Sequence, residues 1–329
     1  MRQIRALAGS GILLLLLIAL SLMLGAKSIA LSDVLHALFS SCGNADCIIV
    51  REARLPRTLA GLLAGAALGL AGALMQTLTR NPLADPGILG INAGAGFAVV
   101  LGIALFDADT PADWLVFAFS GALVASLVVA LTGALGGGRV NPVRLTLAGV
   151  ALAAVLEGLT SGISLLNPDI YDHLRFWHSG SLDIRSFSML RTVFPAMLLG
   201  SLLALGLARS LNSLSMGGDL ATALGNRVVR TQLVGLLAIA LLCGAATAVV
   251  GPIAFLGLMT PHLARWLIGN DHRWLLAGTL LLTPCLLLAA DIMGRLLVAG
   301  ELRVSVVTAF LGAPVLIILV RREAGRRQR

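Results

Sequence analysis

Long apolar runs separated by short polar stretches fill the chain from Gly11 to Val320. A membrane-crossing helix needs about 20 mostly apolar residues, and on that criterion the pattern predicts about ten crossings. They fall at 10–27, 58–79, 90–106, 114–135, 144–166, 188–208, 231–250, 253–268, 274–298 and 304–320. Four polar stretches between them are long enough to form something of their own: Ala26 to Arg57, Asn167 to Phe187, Ser210 to Arg230 and the tail Arg321 to Arg329. The second is predicted to hold a short helix around Asp169 to Phe176. The seventh and eighth runs abut at Val250-Gly251-Pro252. Gly-Pro breaks a helix, and in a bilayer such a break must be buried in protein or line a cavity. A half-length element near a central pathway and a tight hairpin at the surface both fit.

Composition narrows the class. Hydrophobic residues make up 58% of the chain and charged residues 12%, against about 25% charged in soluble domains. The expectation is an all-α membrane protein, a single transmembrane domain over 1–329 with no separate soluble domain. The first apolar run follows Arg2 and Arg5 as in a signal peptide, but no small-residue cleavage site follows it, so it reads as an uncleaved first span. The net charge of +8 comes mainly from arginines between the apolar runs, which read as topology signals and not as a nucleic-acid surface. With both termini inside, 15 of the 24 Lys and Arg fall on the inner side and 9 outside. That excess predicts cytoplasmic termini. The outer set includes a cluster, Arg51, Arg54 and Arg57, just before the second span, and a rule broken in one place has a local reason.

Candidate chemistry is sparse. Nothing matches a phosphate-cradling G-x-x-x-x-G-K-[ST] loop. The five histidines are scattered and no hydrolase or metal-ligand constellation occurs, so no cofactor and no enzymatic activity of this chain are expected. Glu157 lies near the middle of the fifth run, as a carboxylate lining a pore, carrying a proton, or hydrogen-bonded between helices. Asp291 and Arg295 lie one helical turn apart and are expected to pair, with Arg295 reaching the outer surface. Cys243 and Cys285 lie within apolar runs and read as packing residues. Cys42 and Cys47 flank a short turn in the first outer loop. They are candidates for a disulfide in an oxidising compartment, two free thiols being the alternative. Gly61, Gly65, Gly69 and Gly72 make one smooth helix face that lets neighbours approach closely.

A set of ordered motifs then identifies a relationship. Arg54-Leu55-Pro56-Arg57-Thr58-Leu59 opens the second run, and Gln76 is followed by Arg80-Asn81-Pro82-Leu83-Ala84-Asp85-Pro86-Gly87. Trp177-His178-Ser179-Gly180, Gly251-Pro252-Ile253-Ala254-Phe255-Leu256-Gly257, Asp271-His272-Arg273 and Leu311-Gly312-Ala313-Pro314 follow. Together they resemble the permease family of bacterial iron-siderophore and cobalamin importers over nearly the whole chain. Leu62 to Leu83 and Ser210 to Gly225 resemble most the members that carry ferric enterobactin.

The resemblance implies a ten-helix importer permease bundle in the bacterial inner membrane, surrounded by lipid. It implies a second, related permease subunit forming a heterodimer, cytoplasmic ATPase subunits that supply the energy, and a periplasmic substrate-binding protein. It also implies two sites. Gly217, Asp219, Leu220, Ala221, Leu224 and Gly225 match the family's segment for coupling to the ATPase, within a cytoplasmic stretch 210–230. Ala221, Leu224 and Val228 would share the apolar face that seats in the ATPase. Arg54, Arg57 and Arg295 match arginines that dock acidic residues of the binding protein. Asn141 and Pro142 lie where the family has a cytoplasmic gate. Other cargoes within the family, namely another siderophore, haem or cobalamin, remain alternatives. So does a proton-coupled transporter working alone through Glu157 or Asp291.

Overall fold

The computed structural model describes residues 2–40, 43–134, 140–184, 186–298 and 300–327; Cys42, Arg139 and Arg185 lie outside them. The described residues form helices and connecting segments, with no strand. Each of the ten apolar runs carries a helix: α1 (Arg2–Met23), α4 (Leu55–Leu78), α5 (Ile91–Phe106), α6 (Pro111–Ala134), α7 (Pro142–Leu166), α9 (Phe187–Gly206), α12 (Val228–Val250), α13 (Leu256–Leu267), α14 (His272–Leu297) and α15 (Val304–Arg327). Seven are long and apolar enough to cross a membrane. The exceptions are α5, α13 and the apolar part of α15. The polar stretches hold α2 (Leu31–Phe39), α3 (Ala45–Ile48), α8 (Pro168–His178), α10 (Ala208–Ser215) and α11 (Gly218–Ala223).

The core is built on α4 and α12, the two most enclosed helices, with α14 beside them. The glycine face of α4 explains the closeness. A Cβ on Gly65 would meet the backbone of Pro284, one on Gly69 the side chain of Thr283, and one on Gly72 the carbonyl of Gly257. The approach is therefore backbone against backbone, where dispersion contacts are densest and any added methyl forces the helices apart. In contrast α1 and α7 bury few of their residues, and most of their apolar surface faces outward.

The Gly251-Pro252 break resolves as a half-length element inside the bundle. α13 has 12 residues, a rise of about 18 Å, too short for a hydrocarbon layer of about 30 Å. Gly251 takes φ 73° and ψ −178°, and a Cβ there would collide with the carbonyl of Trp177. The exposed backbone is satisfied by protein: the Ser181 N–H donates to the Val250 carbonyl at 2.8 Å. The segment after α4 also turns back inward. Its Pro86 packs on Gly257, while the carbonyl of Ile88 occupies the space a Cβ on Gly149 would need.

Candidate functional site

Two polar clusters stand at opposite ends of the bundle. At the end where α1 finishes, a helix must satisfy its last four carbonyls. Here two guanidiniums do so. Arg54 Nη1 donates to the Leu22 and Met23 carbonyls at 2.8 and 2.7 Å, and its Nη2 donates to the Lys27 carbonyl. Arg295 Nη1 donates to the Ser21 and Leu24 carbonyls at 3.0 and 2.9 Å, and its Nη2 to Ser21 Oγ at 2.9 Å. Positive charge at a helix C-terminus is also favoured by the helix dipole. Arg51 repeats the device on α2, donating to the Ala37 and Ser40 carbonyls. These contacts give the cluster of arginines before α4 a local reason.

Asp291 is the counter-ion of Arg295 and shares its charge with Arg57. It pairs with Arg295 at 2.9 Å, as the one-turn spacing predicts, and also with Arg57 at 2.9 Å. Arg57 reaches on to Glu301 at 2.8 Å. Arg295 does not reach the outer surface as expected: its side chain is 3% exposed, held inward by Asp291 and the end of α1. Arg54 is buried as well. All three arginines line a cleft of about 710 Å³, together with Lys27, Asp183, Glu301 and Arg303. Of the three, Arg57 alone pairs with an acid that is itself substantially exposed, Glu301 at 41%.

At the opposite end, residues 208–230 form a compact unit. Gly217 takes φ 123° and Gly225 φ 80°, values that favour glycine and turn the chain at each side of α11. Asn226 fastens the unit. Its Nδ2 donates to the Ser210 carbonyl and lies 2.8 Å from Ser213 Oγ, while its Oδ1 accepts from Thr231 Oγ1 at 2.9 Å. Asn212 ties α10 to the start of α14 by donating to Asp271 Oδ1 at 2.7 Å. That bond, with the Arg273 N–H next, holds the Asp271 carboxyl below its ordinary pKa.

The orientation of α11 differs from the expected one. Ala221 is fully buried and Val228 nearly so, so both point into the protein's own core. The apolar face turned outward is instead Met216, Leu220 and Leu224, at 61%, 45% and 61% exposure. Leu220 and Leu224 lie four residues apart at α11 and its C-cap, and Met216 ends α10 just before the Gly217 turn. Asp219 is exposed beside them.

The remaining candidates stand apart from both clusters. Glu157 is exposed on the side of α7 that this chain leaves uncovered, within electrostatic reach of His178. No neighbouring helix of this chain encloses it. Asn141 is the N-cap of α7, its Oδ1 accepting from Val143 and Arg144 N–H, and Pro142 is the first helical residue. Cys47 is buried at α3, and Cys42, its expected partner, lies outside the described residues. Sequence reasoning missed Asn212 and Asn226, whose importance rests on contacts that a single chain of letters does not show.

The architecture and the sequence agree with known proteins. The FecCD transport family matches residues 13–322. The chain belongs to that family. A curated relative, the ferric enterobactin transport system permease protein FepD of Escherichia coli (strain K12), is 69% identical over 97% of this chain and 96% of its own. The hemin transport system permease protein HmuU of Yersinia pestis is 39% identical over 99% of this chain and 98% of its own. A solved structure, an inward-facing conformation of a metal-chelate type ABC transporter, superposes with a TM-score of 0.84 at 29% identity. It covers 97% of this chain and 99% of that one. Family membership thus rests on residues 13–322, both clusters included.

Proposed function

We propose that this protein is a transmembrane permease subunit of an ATP-driven importer, and that with a second permease it forms the path of a ferric siderophore, ferric enterobactin foremost, across the bacterial inner membrane. The observation that carries this reading is the 69% identity to a ferric enterobactin permease over 97% of the chain. That a second E. coli ferric enterobactin permease, FepG, is 37% identical over 92% of this chain supports a heterodimer of related subunits. In this reading all ten helices traverse or enter the bilayer and both termini are cytoplasmic. A bridge between Cys42 and Cys47 closes the turn on the oxidising side.

Cytoplasmic ATPase subunits seat on the exposed apolar residues Leu220 and Leu224 of α11 and Met216 before it, with Asp219 beside them. A short amphipathic helix in a groove is a common way to pass motion between subunits. At the other end a periplasmic binding protein docks over the cleft. Arg54 and Arg295, committed to the end of α1, contribute positive potential there. Arg57 exchanges its exposed partner Glu301 for a carboxylate of the incoming protein, a bidentate geometry that suits arginine. Glu157 and the uncovered side of α7 face the partner permease or the path between the two. Asn141 and Pro142, at the start of α7, lie at the cytoplasmic mouth.

The test is reconstitution in vesicles of this chain with its partner permease, ATPase subunits and binding protein. ATP-dependent accumulation of ferric enterobactin, exceeding that of ferric citrate and haem, is expected. A preference for another chelate reassigns the cargo. Accumulation by the purified chain alone, driven by a proton gradient without nucleotide, refutes the importer reading.

A further inference from the structure

The unit 208–230 meets the start of α14 at a polar junction whose hydrogen bonds can be assigned atom by atom. Asn212 Nδ2 donates to Asp271 Oδ1 at 2.7 Å, and a carboxylate oxygen facing that amide fixes which end is nitrogen. Asn212 Oδ1 therefore faces α14. It accepts the backbone N–H of His272 at 2.8 Å and lies 2.7 Å from His272 Nδ1. An amide oxygen only accepts, so Nδ1 carries a proton. The other ring nitrogen, Nε2, lies 2.8 Å from Thr77 Oγ1 on α4. Thr77 Oγ1 also lies 2.8 Å from the Ala73 carbonyl of its own helix. The hydroxyl has a single proton. With a neutral ring it bonds either the imidazole or that carbonyl, and one rotation about the C–O bond exchanges the two.

His272 and Thr77 are both buried, at 5% and 6% exposure, where a hydrogen bond is strong and a broken one is costly. The junction thus joins α10, the start of α14 and the inner third of α4 by directional bonds. Apolar contacts between the same elements resist separation but not sliding. α4 in turn meets α13 and α14 backbone to backbone at Gly72 and Gly65. A displacement delivered to Thr77 is therefore delivered to the centre of the bundle.

We propose that the Asn212–His272–Thr77 relay is the link through which movement of the coupling unit reaches α4. The three act as positioning residues and touch neither cargo nor nucleotide. The proposal rests on the importer reading above, in which that unit receives the ATPase.

The test uses the complete reconstituted complex and reads cargo moved per ATP hydrolysed. Thr77→Val keeps the shape and removes the hydroxyl. His272→Ala removes the ring, and His272→Gln retains a polar group able to bridge. Thr77→Val and His272→Ala are expected to retain their ATPase subunits and hydrolyse ATP, while cargo per ATP falls about tenfold, a usual size for coupling between sites. His272→Gln is expected to recover most of the loss. An unchanged ratio in Thr77→Val and His272→Ala overturns the proposal, whether hydrolysis stays normal or declines in step with transport. Failure of both variants to assemble overturns it too, since the residues would then serve the fold alone. If the unaltered complex shows no ATP-driven uptake, the importer reading has failed instead.

Discussion

Asp291 is 2% exposed and holds two guanidiniums, Arg57 and Arg295. Removing one partner of a buried ion pair leaves the other uncompensated, at a cost of about 3–5 kcal/mol. Asp291→Asn is therefore expected to lower the thermal midpoint of the purified protein sharply, measured in detergent. Asn141→Ala, which loses one helix cap, is expected to cost about 1 kcal/mol. The Asp291–Arg295 pair is legible in the sequence because the two share a helix face one turn apart. The third member, Arg57, is 234 residues away, and nothing local announces it. Nor does anything local show that Arg54 and Arg295 bend onto the end of α1. Charge patterning shows only that the cluster has a local reason, and the carbonyls at the end of α1 supply one.

Among the elements, α11 shows where periodicity fails. It has six residues, under two turns, so a modest rotation exchanges its faces, and the motif alone favours Ala221 over Leu220. Two substitutions separate the alternatives. Leu224→Glu is expected to abolish co-purification of the ATPase subunits while leaving thermal stability unchanged. Ala221→Glu is expected to destabilise the permease itself, because it places a charge in the core. The start of α14 supplies a pH test. The folded pKa of Asp271 is depressed, by the Asn212 hydrogen bond first, so its stabilising effect is present above the unfolded value of about 3.9. It is lost as pH falls through the lower folded value. Asp271→Asn is expected to lower the midpoint at pH 7, and the difference from the natural protein is expected to shrink steadily below pH 4.

For the whole molecule, each of the ten apolar runs carries a helix, seven of them long and apolar enough to cross a membrane, because burial in lipid and burial in protein both demand apolar residues. The same ambiguity conceals which helices form the core. Nothing in hydropathy separates α12, which is mostly enclosed, from α1, which is mostly open. The half-length of α13 depends on protein supplying the backbone partners that lipid cannot, as at Ser181 and Val250. The open side of α7, with Leu147, Val150, Val155 and Leu159 exposed, is expected to be covered by the partner permease. A cysteine at position 159 is expected to react with a membrane-permeant thiol reagent in the isolated chain and to be protected in the assembled pair. A further consequence lies in how α1 is held. Its carbonyls are gripped by Arg54 and Arg295, and a nascent chain emerges in sequence order. The Arg54 grip is thus available soon after α1 is made, whereas the Arg295 grip waits until nearly nine-tenths of the polypeptide has been synthesised. Until then α1 is held through Arg54 and Thr58, and a chain truncated ahead of α14 would leave its second anchor unmade.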